Sequence, residues 1–253
     1  MFSAASLLAL TLTVQGTPVP PVQSQVDAPP PDRPIHQLFQ NLGRDIVALP
    51  SRETLVTLGG GIGGALAVRP ADDDLHGWAD PLPDAGYTAI GGVGGDGWIQ
   101  GGAAPGTYGI GLMADNHQMV HVGSDLIRAQ FLNAVLTRGL KLAARRDRPS
   151  GGGESLPSGH ASATFATASV LASHYGPKVA IPAYAAAAFV GWTRVRDDVH
   201  WLSDVVLGSA IGVIAGRTVA RDHGPQSWAI VPVAGRRQVA IHFVYVGRQR
   251  HER

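Results

Sequence analysis

Glycine is spread through the apolar stretches of this chain, and this distribution limits the folds that the chain can adopt. The 253 residues include 33 glycines, roughly 13% of the chain against a usual ~7%. The glycines follow no Gly-X-Y repeat, which excludes a collagen-like structure. Gly60 and Gly64 stand four residues apart, as do Gly61 and Ala65, and small residues at this spacing let two helices approach closely.

Apolar residues recur with the period of an α-helix over much of the chain. Helices are predicted on this basis over six segments: 35–47, 51–68, 117–144, 158–175, 178–193 and 200–221. A polar loop is expected at 69–84, and short, closely packed helices at 87–113. The weaker alternation over 228–233 and 239–246 is typical of a short C-terminal β-hairpin. The fold class is therefore predicted to be an all-α helical bundle with a terminal hairpin.

The longer apolar runs are candidates for membrane spans. Each falls short of the ~18–20 residues needed to cross a bilayer. The three runs are Thr54–Val68, Ile181–Trp192 and Val205–Gly216. We therefore expect buried helices in a protein that is soluble or peripherally associated with a membrane.

Four segments are expected along the chain. Residues 1–16 contain the apolar run Leu7–Val14 followed by a small-residue cleavage pattern, which is typical of a secretory signal peptide. No lysine or arginine precedes that run, so a disordered apolar tail is the alternative. Residues 17–34 form a proline-rich linker, 35–221 the helical domain, and 222–253 the hairpin and tail. The signal peptide predicts a periplasmic or secreted protein.

Charge and cysteine content exclude several classes of function. Lys and Arg number 20 and Asp and Glu number 19, which gives a formal net charge of +1. This balance argues against a broad nucleic-acid surface. The chain has no cysteine, which excludes disulfides, thiolate metal sites, Fe–S clusters and cysteine nucleophiles. Any anion chemistry must therefore come from a local cluster of charges.

Three short segments in the second half of the chain form such a cluster. They are Lys-x6-Arg-Pro at 141–149, Pro-Ser-Gly-His at 157–160, and Arg-x5-His-x3-Asp at 194–204. Together they supply three cations, a helix N-terminus, two histidines and a carboxylate. These groups are suited to holding and attacking a tetrahedral oxyanion.

The third segment contains a candidate nucleophile. His200 and Asp204 are four residues apart and would share a face of a helix. Asp204 would then accept a hydrogen bond from one ring nitrogen of His200 and leave the other nitrogen free to attack. A surface pair at a helix start is the structural alternative.

The second segment contains a candidate anion site. Ser158 is predicted to cap the helix over 158–175, so that the N–H groups of Gly159 and His160 face an anion. His160 would stand at the rim, where it could protonate a leaving oxygen. An ordinary capped helix is equally compatible with this segment alone.

The cations of the first and third segments suit phosphate oxygens. Arg148 and Arg194 can each form forked hydrogen bonds, whereas Lys141 acts as a point charge. Arg145 and Arg146 are expected on a solvated helix face. A basic helix end is the structural alternative for the first segment.

Three other signals are discounted. The Gly-x-Gly-x-x-Gly patterns at 59–64 and 92–97 do not clearly follow strands of a βαβ unit, so dinucleotide binding is not expected. Asp72, Asp73 and Asp74 are expected in a solvated loop because their surroundings lack the spacing of an EF-hand. No metal site is predicted.

In combination and order, the three segments resemble the signature of the type 2 phosphatidic acid phosphatase/vanadium haloperoxidase superfamily. Every charged and histidine position of that signature is filled. Thr193 is a departure, because the family usually has serine there, although threonine keeps the hydroxyl. The resemblance implies a helical bundle of the acid phosphatase/vanadium haloperoxidase type, plausibly over residues 35–221.

The resemblance also implies roles for these residues. His200 would be the nucleophile and form a phosphohistidine, Asp204 would orient it, and His160 would protonate the leaving group and then help to activate water. The phosphoryl oxygens would be bound by five residues: Lys141, Arg148, Ser158, Gly159 and Arg194. No metal cofactor would be required, and vanadate is expected to bind as a phosphate analogue.

The resemblance leaves the activity open. A phosphatase acting on a lipid phosphate, an isoprenyl diphosphate or a small soluble monoester is favoured. The alternatives are a vanadate-dependent haloperoxidase, a phosphotransferase, and a non-catalytic envelope protein that binds phosphorylated ligands. The expected partners are the phosphorylated substrate and, through a peripheral association, a membrane.

Overall fold

The structure is a computed structural model, and it describes residues 35–78, 87–221, 227–235 and 238–246. Within these residues the chain forms nine α-helices and one antiparallel pair of strands. The proposed signal peptide at 1–16 and linker at 17–34 lie outside the described residues. The predicted all-α bundle is confirmed.

The elements follow one another with short connections. Their bounds are α1 (Ile35–Ala48), α2 (Arg52–Val68), α3 (Asp72–Trp78), α4 (Tyr87–Gly95), α5 (Gly97–Met113), α6 (His117–Ala144), α7 (Gly159–Tyr175), α8 (Pro177–Arg196), α9 (Leu202–Ala220), β1 (Ser227–Gly235) and β2 (Gln238–Val246). The two strands pair in the register Ser227–Val246 to Gly235–Gln238, where the sequence alternation predicts a hairpin.

The prediction of a polar loop at 69–84 is wrong over 69–78, the part of that segment that the structure describes. A single 3-10 turn spans Arg69–Ala71, and α3 begins directly at Asp72. The first turn of α3 consists of three aspartates. Acidic side chains there stabilise a helix because they face the positive end of its dipole, so a run of aspartates is compatible with a helix start.

Glycines of α9 allow this helix to lie unusually close to α7. A Cβ atom added to Gly208 would stand 2.5 Å from the carbonyl oxygen of Ser158, and one added to Gly212 would stand 2.2 Å from that of Ser162. Gly216 meets the next turn of α7 in the same way. The three glycines recur every four residues, so they form one face that brings two backbones into contact.

The small-residue pairs of α2 pack on another face of α9. A Cβ atom added to Gly61 would stand 2.4 Å from Cβ of Ala210, and one added to Gly64 would lie 3.2 Å from Val206. The close helix approach predicted for this spacing is therefore present. It fixes α9 between α2 and α7.

The core is built from small and branched side chains of four helices. The buried cluster draws on α5, α6, α7 and α9: Ala104, Val122, Leu126, Ala129, Leu132, Ala166, Val170, Ala215 and Val219. Four of its nine members are alanines, and Val122 adjoins Gly123. These small residues are consistent with the close helix packing. Removing this apolar surface from water is the main stabilising term of such a bundle.

A buried ionic cluster ties α1 to α6 and α7. Arg128 of α6 is fully buried and pairs with both Asp45 of α1 and Asp125 of α6. Nε2 of His174, near the end of α7, lies 2.9 Å from the second oxygen of Asp125. Removing one partner from such a cluster lowers the free energy of unfolding, because the other charges remain buried without a partner.

Among the described residues, one helix is long and apolar enough to cross a membrane by length and composition, namely α9 with 19 residues. The apolar run Val205–Gly216 is shorter than this because the helix continues beyond the run at both ends. The expectation that this run is too short for a span is therefore wrong for the helix that contains it. More than half of the helix is buried inside the bundle.

Candidate active site

The three sequence segments meet at one end of the bundle. The C-terminal ends of α6 and α8 lie there beside the N-terminal ends of α7 and α9, with the connecting segments 145–158 and 197–201 between them. The eight residues predicted from the sequence are all carried by these ends and segments: Lys141, Arg148, Ser158, Gly159, His160, Arg194, His200 and Asp204.

The N-terminus of α7 is capped as the sequence predicts. The side chain of Ser158 accepts a hydrogen bond from the N–H of Ala161 at 3.5 Å. Ser158 is buried, and its own N–H donates to the carbonyl oxygen of Asp204 at 3.0 Å. A Cβ atom on Gly159 would lie 4.0 Å from Cε of Lys141. The helix N-terminus and a lysine thus share one small space, which favours an anion.

His200 does not lie on a helix, which corrects the expectation for this pair. It precedes α9, whose N-cap residue is Trp201, and its N–H donates to the carbonyl oxygen of Arg194 at 3.2 Å. Nδ1 of His200 lies 3.7 Å from Oδ2 of Asp204. The two side chains are paired by this turn and by the start of α9. Their separation exceeds the distance of a direct hydrogen bond.

Ser155 connects the two side chains and was not predicted from the sequence. Its hydroxyl donates to Oδ2 of Asp204 and lies 3.5 Å from Nδ1 of His200. All three side chains are buried. Because Nδ1 faces this carboxylate and hydroxyl, Nε2 is the ring nitrogen directed elsewhere. No local pattern indicates this role, because the contacts of Ser155 with Asp204 and His200 span 49 and 45 positions.

The three predicted cations lie around the two histidines. The positive charges of Lys141 and Arg148 act on His200, and those of Arg194 and Arg148 act on His160. Arg194 is buried and held by Asp197 at 2.7 Å and by the carbonyl oxygen of Thr88 at 2.9 Å. A concentration of cations at one helix N-terminus is an anion-binding arrangement.

Arg148 has a buried side-chain nitrogen, Nε, without a hydrogen-bond partner among the described residues. The loop around it is well bonded, because its N–H donates to the carbonyl oxygen of Gly152 at 2.9 Å. A buried donor without an acceptor destabilises the folded protein. An anion that accepts a hydrogen bond from this Nε would remove that cost.

Both histidines are held toward the neutral form. Burial lowers the pKa of His160 to about 4, and the charges of Arg194 and of a protonated His200 act in the same direction. Burial also lowers the pKa of His200, while the nearby Asp204 carboxylate opposes that shift. At neutral pH His200 therefore has a free lone pair, which a nucleophile requires.

Lys141 also belongs to this electrostatic group. Burial and the charge of Arg148 lower the pKa of its ammonium, while Asp204 and Glu154 act against that shift. Its Nζ donates to the carbonyl oxygen of Glu154. The contact holds the ammonium beside the connecting segment 145–158.

The glycines of α4 pack directly against the site. A Cβ atom on Gly91 would stand 2.1 Å from Oγ1 of Thr193, and one on Gly92 would lie 3.2 Å from the guanidinium of Arg194. A Cβ atom on Gly95 would stand 2.9 Å from Cβ of His160. Gly91, Gly92 and Gly95 thus allow α4 to lie close to the candidate residues.

Arg146 and Asp72 correct two further expectations. Arg146 was expected on a solvated face, but it pairs with Asp204 at 2.8 Å and with Asp72 at 2.9 Å. Asp72 was expected in a solvated loop, but it is buried at the start of α3. Both contacts join residues more than 55 positions apart, so no local pattern could reveal them.

No group of three or more His, Cys, Asp or Glu side chains that could hold a metal ion occurs within 38–75 and 88–221, the ranges with described side chains. The arrangement that these ranges do contain is suited to another task. It can hold a phosphate group between cations and present the ring nitrogen of a histidine to it.

Comparison with known proteins relates part of the chain to a family. Residues 121–228 match the PAP2 superfamily, and this segment includes the candidate residues from Lys141 to Asp204. The matched segment covers less than half of the chain, and the chain is similar to this family over that segment. The resemblance deduced from the three motifs is thereby confirmed.

A curated relative and two solved structures are similar to this chain. The relative is a lipid A 1-phosphatase from Porphyromonas gingivalis, which is 34% identical over 97 residues, or 37% of this chain. The match spans 22% of that relative's length. LpxE from Aquifex aeolicus has a TM-score of 0.49 at 22% identity and covers 59% of this chain and 94% of its own.

The second solved structure is a transmembrane PAP2 type phosphatidylglycerolphosphate phosphatase from Bacillus subtilis. Its TM-score is 0.41 at 22% identity, and the alignment covers 73% of this chain and 92% of that one.

Proposed function

We propose that this protein hydrolyses the phosphate monoester of a membrane lipid through a phosphohistidine and without a metal ion. The observation that carries the proposal is the convergence of His200, His160 and three cations at the N-terminus of α7. Phosphoryl transfer depends mainly on positioning and on neutralising charge, and these groups supply both.

His200 is the proposed nucleophile. Its Nδ1 carries the proton and faces Asp204 and Ser155, so Nε2 attacks phosphorus. The new N–P bond forms as the ester O–P bond breaks, and the alcohol leaves with a proton. Asp204 orients the ring and stabilises the positive charge that the phosphoimidazole carries. Water then attacks phosphorus, the N–P bond breaks, and phosphate is released.

The phosphoryl oxygens are bound by residues on four structural elements. Arg148 and Arg194 donate forked hydrogen bonds, and Lys141 contributes a point charge. Ser158 and Gly159 add donors at the N-terminus of α7. The partnerless Nε of Arg148 supports this assignment. Because the cations also stabilise the charge that develops in transfer, the site requires no metal.

His160 is the proposed acid and base. Its pKa of about 4 means that it is neutral in the free enzyme at pH 7. The second pKa of a phosphate monoester is about 6, so the substrate can bind as a monoanion that carries one proton. His160 accepts this proton from the phosphoryl group and donates it to the leaving oxygen, and it is neutral again after the first step. In the second step, neutral His160 accepts a proton from the attacking water.

A lipid substrate is supported by the relative's name and by the surface of this chain. The curated relative is a lipid A 1-phosphatase. Several helices expose large apolar side chains, with Trp98 and Met113 at the two ends of α5 each 90% exposed. Apolar surface on this scale is typical of an interaction with a membrane or a partner. The 19-residue α9 fits the same proposal.

An apolar cavity of about 350 Å³ offers room for part of a lipid chain. It lies between α3, α8 and α9, and its lining includes Leu75, Phe165, Trp192, Leu202, Val206 and Ser209. Leu202 is two residues from His200, and Val195, which also lines the cavity, follows Arg194. The cavity is thus lined by sequence neighbours of two proposed site residues. We further propose an extracytoplasmic site of action, as the signal peptide would require.

The proposal is tested by phosphate release from dioleoyl phosphatidic acid and from lipid A in detergent, beside a chromogenic soluble monoester. Turnover should survive EDTA, fall with vanadate and vanish in His200→Ala. Loss of turnover in EDTA would contradict the metal-independent site. Halide oxidation after vanadate loading would instead support a haloperoxidase, and transfer to an added alcohol a transferase. Phosphate-analogue binding without any turnover would support a non-catalytic binding protein.

A further inference from the structure

Arg146 contacts the carboxylate that faces the proposed nucleophile. It follows the end of α6, and its Nη1 donates to Oδ1 of Asp204 at 2.8 Å and to Oγ of Ser203 at 2.6 Å. Its guanidinium carbon also lies 5.2 Å from the ring centroid of Trp201, which is within the range of a cation–π contact. These contacts fix the guanidinium against the N-terminal turn of α9.

Asp72 holds Arg146 from the other side. It is 4% exposed, and its Oδ2 accepts from Nη2 of Arg146 at 2.9 Å and from Oγ of Ser203 at 2.6 Å. Its Oδ1 accepts from the N–H of Ser203 at 3.0 Å. Asp72 therefore joins α3 to both the arginine and the first turn of α9.

The two oxygens of Asp204 have different partners as a result. Oδ1 binds Arg146, whereas Oδ2 accepts from Ser155 and from the N–H of Trp201 at 3.0 Å. Oδ2 is also the oxygen that faces His200. A carboxylate bound on both oxygens cannot rotate away, so its orientation toward the imidazole is fixed by groups at positions that the three motifs leave unspecified.

We propose that Arg146 and Asp72 are positioning residues that set the orientation and basicity of His200 through Asp204. The predicted effect on turnover rests on the proposed function, whereas the predicted effect on the pKa of His200 does not. Arg146 balances the charge of Asp204, and Asp72 holds Arg146 in its forked geometry. Neither residue is placed to touch the substrate.

The expected effect on His200 has a definite sign. Without Arg146, the charge of Asp204 would act more fully on the imidazole and favour its protonated form. The other charged groups acting on His200 are Lys141 and Arg148, which favour the neutral form. A protonated His200 also interacts unfavourably with the charge of His160, on which Arg194 acts in the same direction. Loss of Arg146 should therefore raise the pKa of His200.

The sequence provides a matched control for each residue. Arg145 adjoins Arg146 but is exposed, and its Nε donates to the carbonyl oxygen of Leu142 in its own helix. Asp73 adjoins Asp72 and is also exposed. Arg146→Gln and Asp72→Asn are thus compared with Arg145→Gln and Asp73→Asn, which make the same chemical changes one position away.

Kinetics give the first test. Arg146→Gln and Asp72→Asn should lower kcat by roughly 10- to 100-fold, as loss of a residue that orients an active group does, with little change in KM. The acid limb of the kcat/KM profile should move to higher pH in Arg146→Gln, and Arg146→Lys should restore part of kcat. The double variant should lose less than the product of the single losses. Equal losses in the two controls would overturn the proposal.

A second readout does not depend on turnover. Histidine-labelled full-length protein in detergent micelles is titrated by NMR, with His200→Gln used to assign the resonance. The pKa of His200 should rise in Arg146→Gln and remain unchanged in Arg145→Gln. An unchanged value in folded Arg146→Gln would overturn the inference, even where the wild type proves to be a phosphatase. A raised pKa of His200 in Arg146→Gln would uphold the inference even where the wild type shows no turnover and the proposed function fails.

Discussion

The N–H of Ser158 donates to the carbonyl oxygen of Asp204 at 3.0 Å. This bond joins the first turn of α7, which carries the proposed anion site, to the first turn of α9, which carries the carboxylate. It is made possible by Gly208, one turn further along α9, whose missing side chain leaves space for the backbone of Ser158. Close helix packing thus determines the geometry of the site.

Gly212→Ala tests this connection between packing and catalysis. The added methyl would stand 2.2 Å from the carbonyl oxygen of Ser162 and 2.9 Å from the N of Ala166. Both contacts are with backbone atoms, so α7 and α9 must separate. We expect unfolding free energy to fall by about 1–3 kcal/mol and lipid phosphatase kcat to fall with it. Chemical denaturation and steady-state kinetics measure the two effects.

The control for this variant is Gly63→Ala on α2. No atom lies within 4 Å of a Cβ at that position, and alanine is favoured over glycine inside a helix by about 1 kcal/mol. This variant should be as active as the wild type and slightly more stable. Wild-type stability and activity in Gly212→Ala would show that α7 and α9 do not need this close approach.

Gly95→Ala tests the contact of α4 with the proposed acid. The methyl would meet Cγ1 of Val190 at 2.5 Å and Cβ of His160 at 2.9 Å, so it must displace α4 or the imidazole. A displacement near 1 Å can cost about 10- to 100-fold in rate, and we expect a loss of kcat in that range. The neighbouring Gly94→Ala would meet its nearest atom at 4.0 Å and should retain activity. Equal kcat values for the two variants would contradict the contact.

The lowered pKa of His160 predicts a pH dependence of stability. Its value in the folded protein is about 4, below the ~6.5 of an unfolded histidine, so the unfolded chain binds a proton more readily. The stability from the neutral, buried ring is present above pH ~6.5 and is lost as the pH falls toward 4. His160→Gln should flatten this decline in denaturation measured across that window. A decline as steep as that of the wild type would argue against the buried neutral ring.

Ala188→Phe tests the apolar cavity. Ala188 lines that cavity on α8, and a benzyl group there would exclude part of a bound chain. Excluding two methylene groups removes about 1.6 kcal/mol of burial, so KM for dioleoyl phosphatidic acid should rise by roughly 10-fold. KM for a dihexanoyl substrate should stay constant. Ala185→Phe is the control, since Ala185 is exposed on the same helix outside the cavity. Parallel changes in both substrates would contradict a chain-binding role.

Local patterns predicted much of the fold correctly. The helix predicted over 117–144 coincides with α6, and the predicted cap at Ser158 is present. These features depend on residues within one or two turns of each other. Periodicity and capping chemistry are therefore sufficient to locate them.

Long-range contacts could not be predicted in this way. Arg145 and Arg146 are identical neighbours in the sequence, yet one is exposed and the other bonds to Asp72 and Asp204. The i,i+4 spacing of His200 and Asp204 suggested a helical pair, whereas a turn before α9 produces it. The burial of Asp72 and the role of Ser155 depend on how α3, α7 and α9 pack, which no short window of sequence contains.

The most direct test of the central claim is to detect the covalent intermediate. Lipid phosphate is mixed with the enzyme, the reaction is stopped under alkaline conditions that preserve phosphohistidine, and peptides are analysed by mass spectrometry. A phosphoryl group on His200, formed within one turnover and absent from His200→Ala, is the predicted result. Turnover of the wild type without any phosphoryl group on His200 would contradict the proposed nucleophile. Undiminished activity in His200→Ala would contradict it as well.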